Sequence, residues 1–173
     1  MERPPQASIA HRPGPRSLKL RLLTLGQRMP AWVTEASRTY AARMPREFSL
    51  DVVELRAAPR QDGRTREQLL TREADDLLTT LGSTPFHALD ERGSLWTTLE
   101  LAKKLEQAQQ TGDSLAFVIG SADGLHPRIF QHSRAPLALS RMTLPHGLAR
   151  VLMVEQLYRA VMILKGHPYH RDS

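Results

Sequence analysis

The chain has 173 residues, enough for one ordinary domain that buries roughly two-thirds of the surface its unfolded form exposes. It contains no cysteine, which excludes disulfides, thiolate metal sites and a cysteine nucleophile and points to a reducing cytoplasm. The formal net charge of +6 sits at the two ends, with +2 in residues 1–17, zero in 18–120 and +4 in 121–173; no run of about 18 apolar residues is present, so the pattern predicts a soluble protein that attracts polyanions, or merely carries a solubilising surface, rather than one that enters a bilayer.

Residues 1–17 hold Pro4, Pro5, Pro13 and Pro15 among arginines and read as a disordered basic tail. A regular pattern starts at Leu18. Leu18 to Leu25 is a strand candidate, Pro30 to Met44 a helix with proline in its first turn, and Phe48 to Leu55 an alternating strand. Helical spacing over Arg64 to Leu81 ends at Gly82, Pro85 to Leu89 is a short strand, and a helix over Thr97 to Gln110 ends at Gly112. Leu115 to Ile119 is the most strand-like run, and a short strand through Leu137 leads into a proline-started helix over Gly147 to Leu164. Such alternation predicts an α/β fold, a mostly parallel sheet with helices on both faces in a single domain spanning 18–173.

Ligands of open α/β sheets sit beyond the carboxyl ends of the strands, which directs attention to three loops. Asp90-Glu91-Arg92-Gly93-Ser94 is a weak signal, polar like most surface loops. Ile119-Gly120-Ser121-Ala122-Asp123-Gly124 places two glycines after a buried strand, letting backbone amides approach a ligand; Pro127 follows and the position is late, so it is not a dinucleotide fingerprint. Leu137 to Gly147 offers main-chain donors and acceptors between Leu139, Met142 and Leu144, suited to an adenine ring or simply to a strand-to-helix connection. The helix from Gly147 is apolar almost all round, which suggests a second buried face and hence a homodimer. Within it Glu155 and Arg159, four residues apart, can pair structurally or face a ligand. The ending His167-Pro168-Tyr169-His170-Arg171 is rich in groups that stack on bases or exchange protons.

Four segments, Phe117 to Leu125, Leu139-Ser140-Arg141-Met142-Thr143-Leu144-Pro145-His146, Val154-Glu155-Gln156-Leu157-Tyr158-Arg159-Ala160 and His167 to Arg171, occur in an order and spacing that resembles the ribosomal RNA large subunit methyltransferase H family of the SPOUT class. Leu18-Lys19-Leu20 through Met29-Pro30-Ala31-Trp32 extend the likeness over nearly all of the chain after residue 17. The resemblance implies a homodimeric α/β fold with a C-terminal trefoil knot, S-adenosylmethionine as cofactor without any metal, and methylation of N3 of a pseudouridine in the 23S rRNA of the assembled ribosome. It places cofactor contacts at Leu89, Gly120, Leu139, Ser140, Arg141, Met142, Thr143 and Leu144. Glu155, Arg159, Tyr169 and His170 become the catalytic group, with His170 or Tyr169 as base or proton relay and Arg159, fixed by Glu155, on a phosphate or a base carbonyl. Arg150 and Arg171 fall on the substrate side. Ser121 departs from the second glycine common at that place; its side chain can restrict the loop, while serine still leaves the backbone amide free. Two rivals remain: a nicotinamide enzyme, which lacks its early glycines here, and an RNA-binding module of the same fold without chemistry.

Overall fold

The computed structural model describes residues 16–26, 28–59 and 63–171; of His170 and Arg171 it describes the backbone alone. The expected tail lies outside the described residues up to position 15, and the first described side chain, Arg16, donates from Nη1 to the Thr111 carbonyl at 3.4 Å.

Five strands, β1 (Leu18–Leu25), β2 (Phe48–Leu55), β3 (Phe86–Leu95), β4 (Leu115–Ile119) and β5 (Arg134–Ala138), form one sheet in the order β2-β1-β4-β3-β5. Every pairing is parallel, so each connection must cross over the sheet, and helices supply the crossings. These are α1 (Ala31–Ala42), α2 (Arg66–Leu81), α3 (Thr98–Thr111), α4 (Pro127–His132) and α5 (His146–Leu164).

The strands sort their side chains by the two-residue period of a pleated sheet. Leu18, Leu20 and Leu22 of β1 and Leu115, Phe117 and Ile119 of β4 pack with Leu101 and Leu105 of α3 and Met153, Leu157 and Val161 of α5. Leu23, Leu25, Ala116 and Val118 turn to the opposite face, against Leu77 and Leu81 of α2 and Ile129 of α4. Both cores come from one pattern, because the central strands are buried on both sides and read as near-continuous apolar runs.

Local chemistry fixes the helix ends. Thr65 and Thr97 each accept a hydrogen bond from the amide three residues on, and the threonine amides in turn donate to the Gln68 and Glu100 side chains, two complete capping boxes. Gly112 closes α3 in the left-handed region at φ 74°. Two expectations change. The short helix α4 is absent from the sequence reading, since six residues are too few to show a period; its available signals are His126, which caps Arg128, and Pro127 at the first position. The loop expected after Leu89 is largely strand: β3 pairs Leu89 with Leu137, bulges, and pairs Ser94 with Leu137 again before Leu95. Gly93 allows that return, because a Cβ there would meet the Pro136 carbonyl oxygen at 2.7 Å.

Candidate functional site

The carboxyl ends of β4 and β5 flank the bulge of β3 at 89–92, and these segments enclose a cleft of about 580 Å³, within the range of roughly 300–1,000 Å³ usual for small-molecule sites. Leu89, Gly120, Leu139, Ser140, Met142, Thr143 and Leu144 line it. Arg141, also expected there, turns away and donates to the Gly93 carbonyl at 3.4 Å. Asp90, Ser121, Asp123, Leu125 and His146 also line it without having been singled out as contacts; the loop positions of all but Leu125 signalled them.

The turn after β4 has no slack. A Cβ on Gly120 would lie 2.5 Å from the Gly124 carbonyl oxygen and 2.9 Å from Leu125 Cγ, so only glycine permits the chain to fold back here. The turn closes through the Gly124 amide on the Ser121 carbonyl at 2.9 Å. From α2, the Arg66 guanidinium reaches the Asp123 carbonyl at 2.6 Å and Glu67 bonds the His126 ring at 2.9 Å. The opposite wall, 139–144, is tied more lightly. The Met142 amide donates to the Ser140 hydroxyl at 2.9 Å and the Thr143 hydroxyl to Glu91 at 3.1 Å, while Met142 itself is 77% exposed. A rigid glycine turn on one side, apolar Leu89, Leu139 and Leu144 around the rim, and an adaptable thioether on the other suit a ligand that combines a heterocycle with a polar tail.

His146, the first residue of α5, lines the base of the cleft and bonds the Gly120 backbone; burial holds its pKa below the ordinary value, with the Gly120 bond opposing and Arg150 adding to the effect. Its Nε2 is enclosed without a partner among the described residues. One turn along, Arg150 is 3% exposed and pairs with Glu54 of β2 at 2.6 Å. Arg150, expected on the substrate side, thus lies on the buried side of α5 and points under the helix onto the sheet, because its neighbours at this spacing are buried too.

The second group gathers at the other end of α5. Glu155 accepts from Arg159 Nε at 2.8 Å, from the Gln156 amide at 2.7 Å and from the Tyr169 hydroxyl at 3.4 Å. A 3-10 turn over Pro168–Arg171 folds Tyr169 back so that its ring lies 5.0 Å from the Arg159 guanidinium and edge-on to Tyr158 at 4.9 Å. Burial first, then hydrogen bonding with Tyr40 and the nearby Glu155 charge, push the Tyr169 phenol up to about 12. It is therefore protonated at neutral pH, with its hydroxyl donating to Glu155. Ala149 lines the cleft and Arg159 lies ten positions further along α5, a separation of about 15 Å at the rise of a helix. Within one chain the cleft and the arginine–tyrosine group are two sites.

A protein-family model described as "Predicted SPOUT methyltransferase" matches residues 18–170. Curated relatives include the ribosomal RNA large subunit methyltransferase H proteins of Nitrosospira multiformis, 43% identical over 89% of this chain and 99% of that protein, and of Dechloromonas aromatica, 46% identical over 90% of this chain and all of that protein. Among solved structures, a probable methylase family protein from Haemophilus influenzae superposes with a TM-score of 0.53 at 14% identity, covering 89% of this chain and 70% of that one. A probable methyltransferase from Bordetella pertussis gives 0.51 at 17%, covering 82% and 93%; likenesses at such identity speak to the fold. With a glycine turn and an apolar rim at the strand ends, and relatives matched end to end, the chain belongs to the SPOUT methyltransferase family, alongside the ribosomal RNA large subunit methyltransferase H proteins.

Proposed function

We propose that this chain is an S-adenosylmethionine-dependent methyltransferase of the cytoplasm that methylates N3 of a pseudouridine in 23S rRNA of the assembled ribosome, and that it works as a homodimer. The carrying observation is the separation just described: the strand-end cleft and the Glu155–Arg159–Tyr169 group lie about 15 Å apart on one helix, which supports a methyl-donor site and an RNA-side group that meet between subunits. Two antiparallel copies would bring the cleft of one subunit to the Glu155–Arg159–Tyr169 group of the other. The exposed apolar side chains of Trp32 on α1 and Leu148 on α5, 53% and 38% accessible, support such an interface. The trefoil knot of this family belongs to the same proposal, with the chain threaded through the segments between β4 and α5.

S-adenosylmethionine supplies a methyl group on a sulfonium, transferred in line to a ring nitrogen. The residues named here would align and screen rather than react covalently. The Gly120 turn and Leu89, Leu139 and Leu144 would seat the donor. Arg159, oriented by Glu155, would hold a phosphate or a base carbonyl through charge-assisted hydrogen bonds, and Tyr169 would donate or stack. His170 is the proposed acceptor of the N3 proton.

Radiolabelled methyl transfer to ribosomes, followed by mass mapping of the rRNA, tests the reaction; a ribosome that gains no methyl group would sink it. Mixing a Gly120→Ala chain with an Arg159→Ala chain tests the shared site, because hybrid dimers carry one intact composite centre. Recovery of activity from two inactive parents is expected, and no recovery would point to self-contained sites.

A further inference from the structure

Glu73 is the most buried acid among the described residues, 5% exposed on the sheet-facing side of α2. Both of its oxygens are committed: Oε1 accepts the Ala58 amide at 3.0 Å and Oε2 the Ser121 hydroxyl at 2.9 Å. Ala58 lies just past the end of β2 and Ser121 just past the end of β4, the two neighbours of β1 in the sheet. One carboxylate therefore ties together the strand ends behind the cleft. Glu73 does not line the cleft, whereas Ser121 does. Ser121 also closes the turn with Gly124 and follows Gly120, where nothing larger than hydrogen fits.

We propose that Glu73 is a positioning residue for the methyl donor: through the Ser121 hydroxyl it holds the Gly120–Gly124 turn in its binding shape, so that the Ser121–Glu73 bond sets cofactor affinity without touching the cofactor. A turn fixed before binding loses less conformational freedom when the ligand arrives. Removing the hydroxyl leaves a buried carboxylate oxygen short of a donor, and water or a shifted turn must replace it. The inference rests on the cleft being the S-adenosylmethionine site.

Calorimetric titration of the full chain with S-adenosylmethionine and with S-adenosylhomocysteine tests it without any turnover. Ser121→Ala should weaken both ligands about tenfold, the size expected for one hydrogen bond to a charged group, while the chain stays folded with a melting temperature lower by only a few degrees and its affinity for ribosomes stays near wild type. Adding Ser121→Ala to a Glu73→Gln chain should cost much less than in wild type, because the pair is coupled. Amide exchange in the ligand-free protein should rise at 121–124 in Ser121→Ala. Wild-type affinity in Ser121→Ala, or equal losses in the two backgrounds, would overturn the positioning role while leaving the cofactor site standing. Should Glu73→Gln not fold, Ser121→Ala and its exchange pattern decide alone. A wild-type chain that binds neither ligand would overturn the cofactor reading and this inference with it.

Discussion

The two halves of α5 share one helix and face different tasks. Its first turns put His146 against the Gly120 turn and bury Arg150 against Glu54, so charge there is spent on holding the sheet ends together. Its last turns keep Glu155 and Arg159 only partly covered, with side chains 14% and 21% accessible, and stack them with Tyr169 at the protein surface. An arginine therefore says little about its role from its type alone; what distinguishes Arg150 from Arg159 is whether the helix face it occupies meets the sheet.

Replacing Arg159 should break this contrast most visibly. Arg159→Ala is expected to lower methylation by about 10²–10³, the usual cost of one charge-stabilising donor, with S-adenosylmethionine affinity within twofold by calorimetry. A parallel loss of cofactor affinity would mean that the two ends act as one site within a chain. Gly120→Ala should do the reverse, reducing cofactor affinity at least about tenfold through the backbone clash while ribosome binding persists in a pull-down assay.

Arg150→Met should cost stability rather than recognition. Breaking a buried ion pair typically costs several kcal/mol, and because Glu54 keeps a 36% accessible side chain that water can reclaim, about 1–3 kcal/mol is expected here, read as a melting temperature lower by a few degrees. A normal melting curve with lost ribosome binding would return Arg150 to the substrate side. Tyr169→Phe is smaller again. It keeps the ring over Arg159 and removes the hydroxyl's bonds with Tyr40 and, at 3.4 Å, with Glu155, so turnover should fall only a few-fold. The wild-type rate should show no tyrosine titration below about pH 10, since the phenol is shifted up to about 12.

The smallest effect concerns acid stability. Burial lowers the pKa of both His87 and His146 from the ordinary histidine value, so the unfolded chain binds more protons than the folded one once pH drops below about 6.5. Their neutral-state stability is complete above that pH and is lost as pH falls toward the lowered values. His87 contributes from β3, inside the sheet between β4 and β5, stacked on Phe117 and edge-on to Trp96; His87→Phe should flatten the decline in melting temperature on acidification, and an unchanged slope would assign it elsewhere.

Much of this was legible in the order of residues. The run Leu115–Ile119 shows no alternation because both of its faces are covered, and that indicates a parallel sheet between helices. Threonine caps and closing glycines bound α2 and α3 to within two residues of the expected ends. The glycine turn and the apolar 139–144 segment were visible as loops at strand ends. What one dimension hides is pairing between distant segments. Nothing near Glu73 in sequence announces Ser121, 48 positions away, and the return of β3 to Leu137 after its bulge depends on a contact between Gly93 and Pro136.

The sequence by itself therefore determined the fold class, the strand ends that form the cleft and the family, because hydrophobic period, caps and motif spacing are local properties. Only the tertiary structure decided that Arg150 is buried, that the Tyr169 phenol is shifted up beside Glu155, and that the cleft and the arginine–tyrosine group stand apart on α5. Those outcomes depend on burial and on distance through space, which set the desolvation and pairing of each charge and have no counterpart along the chain.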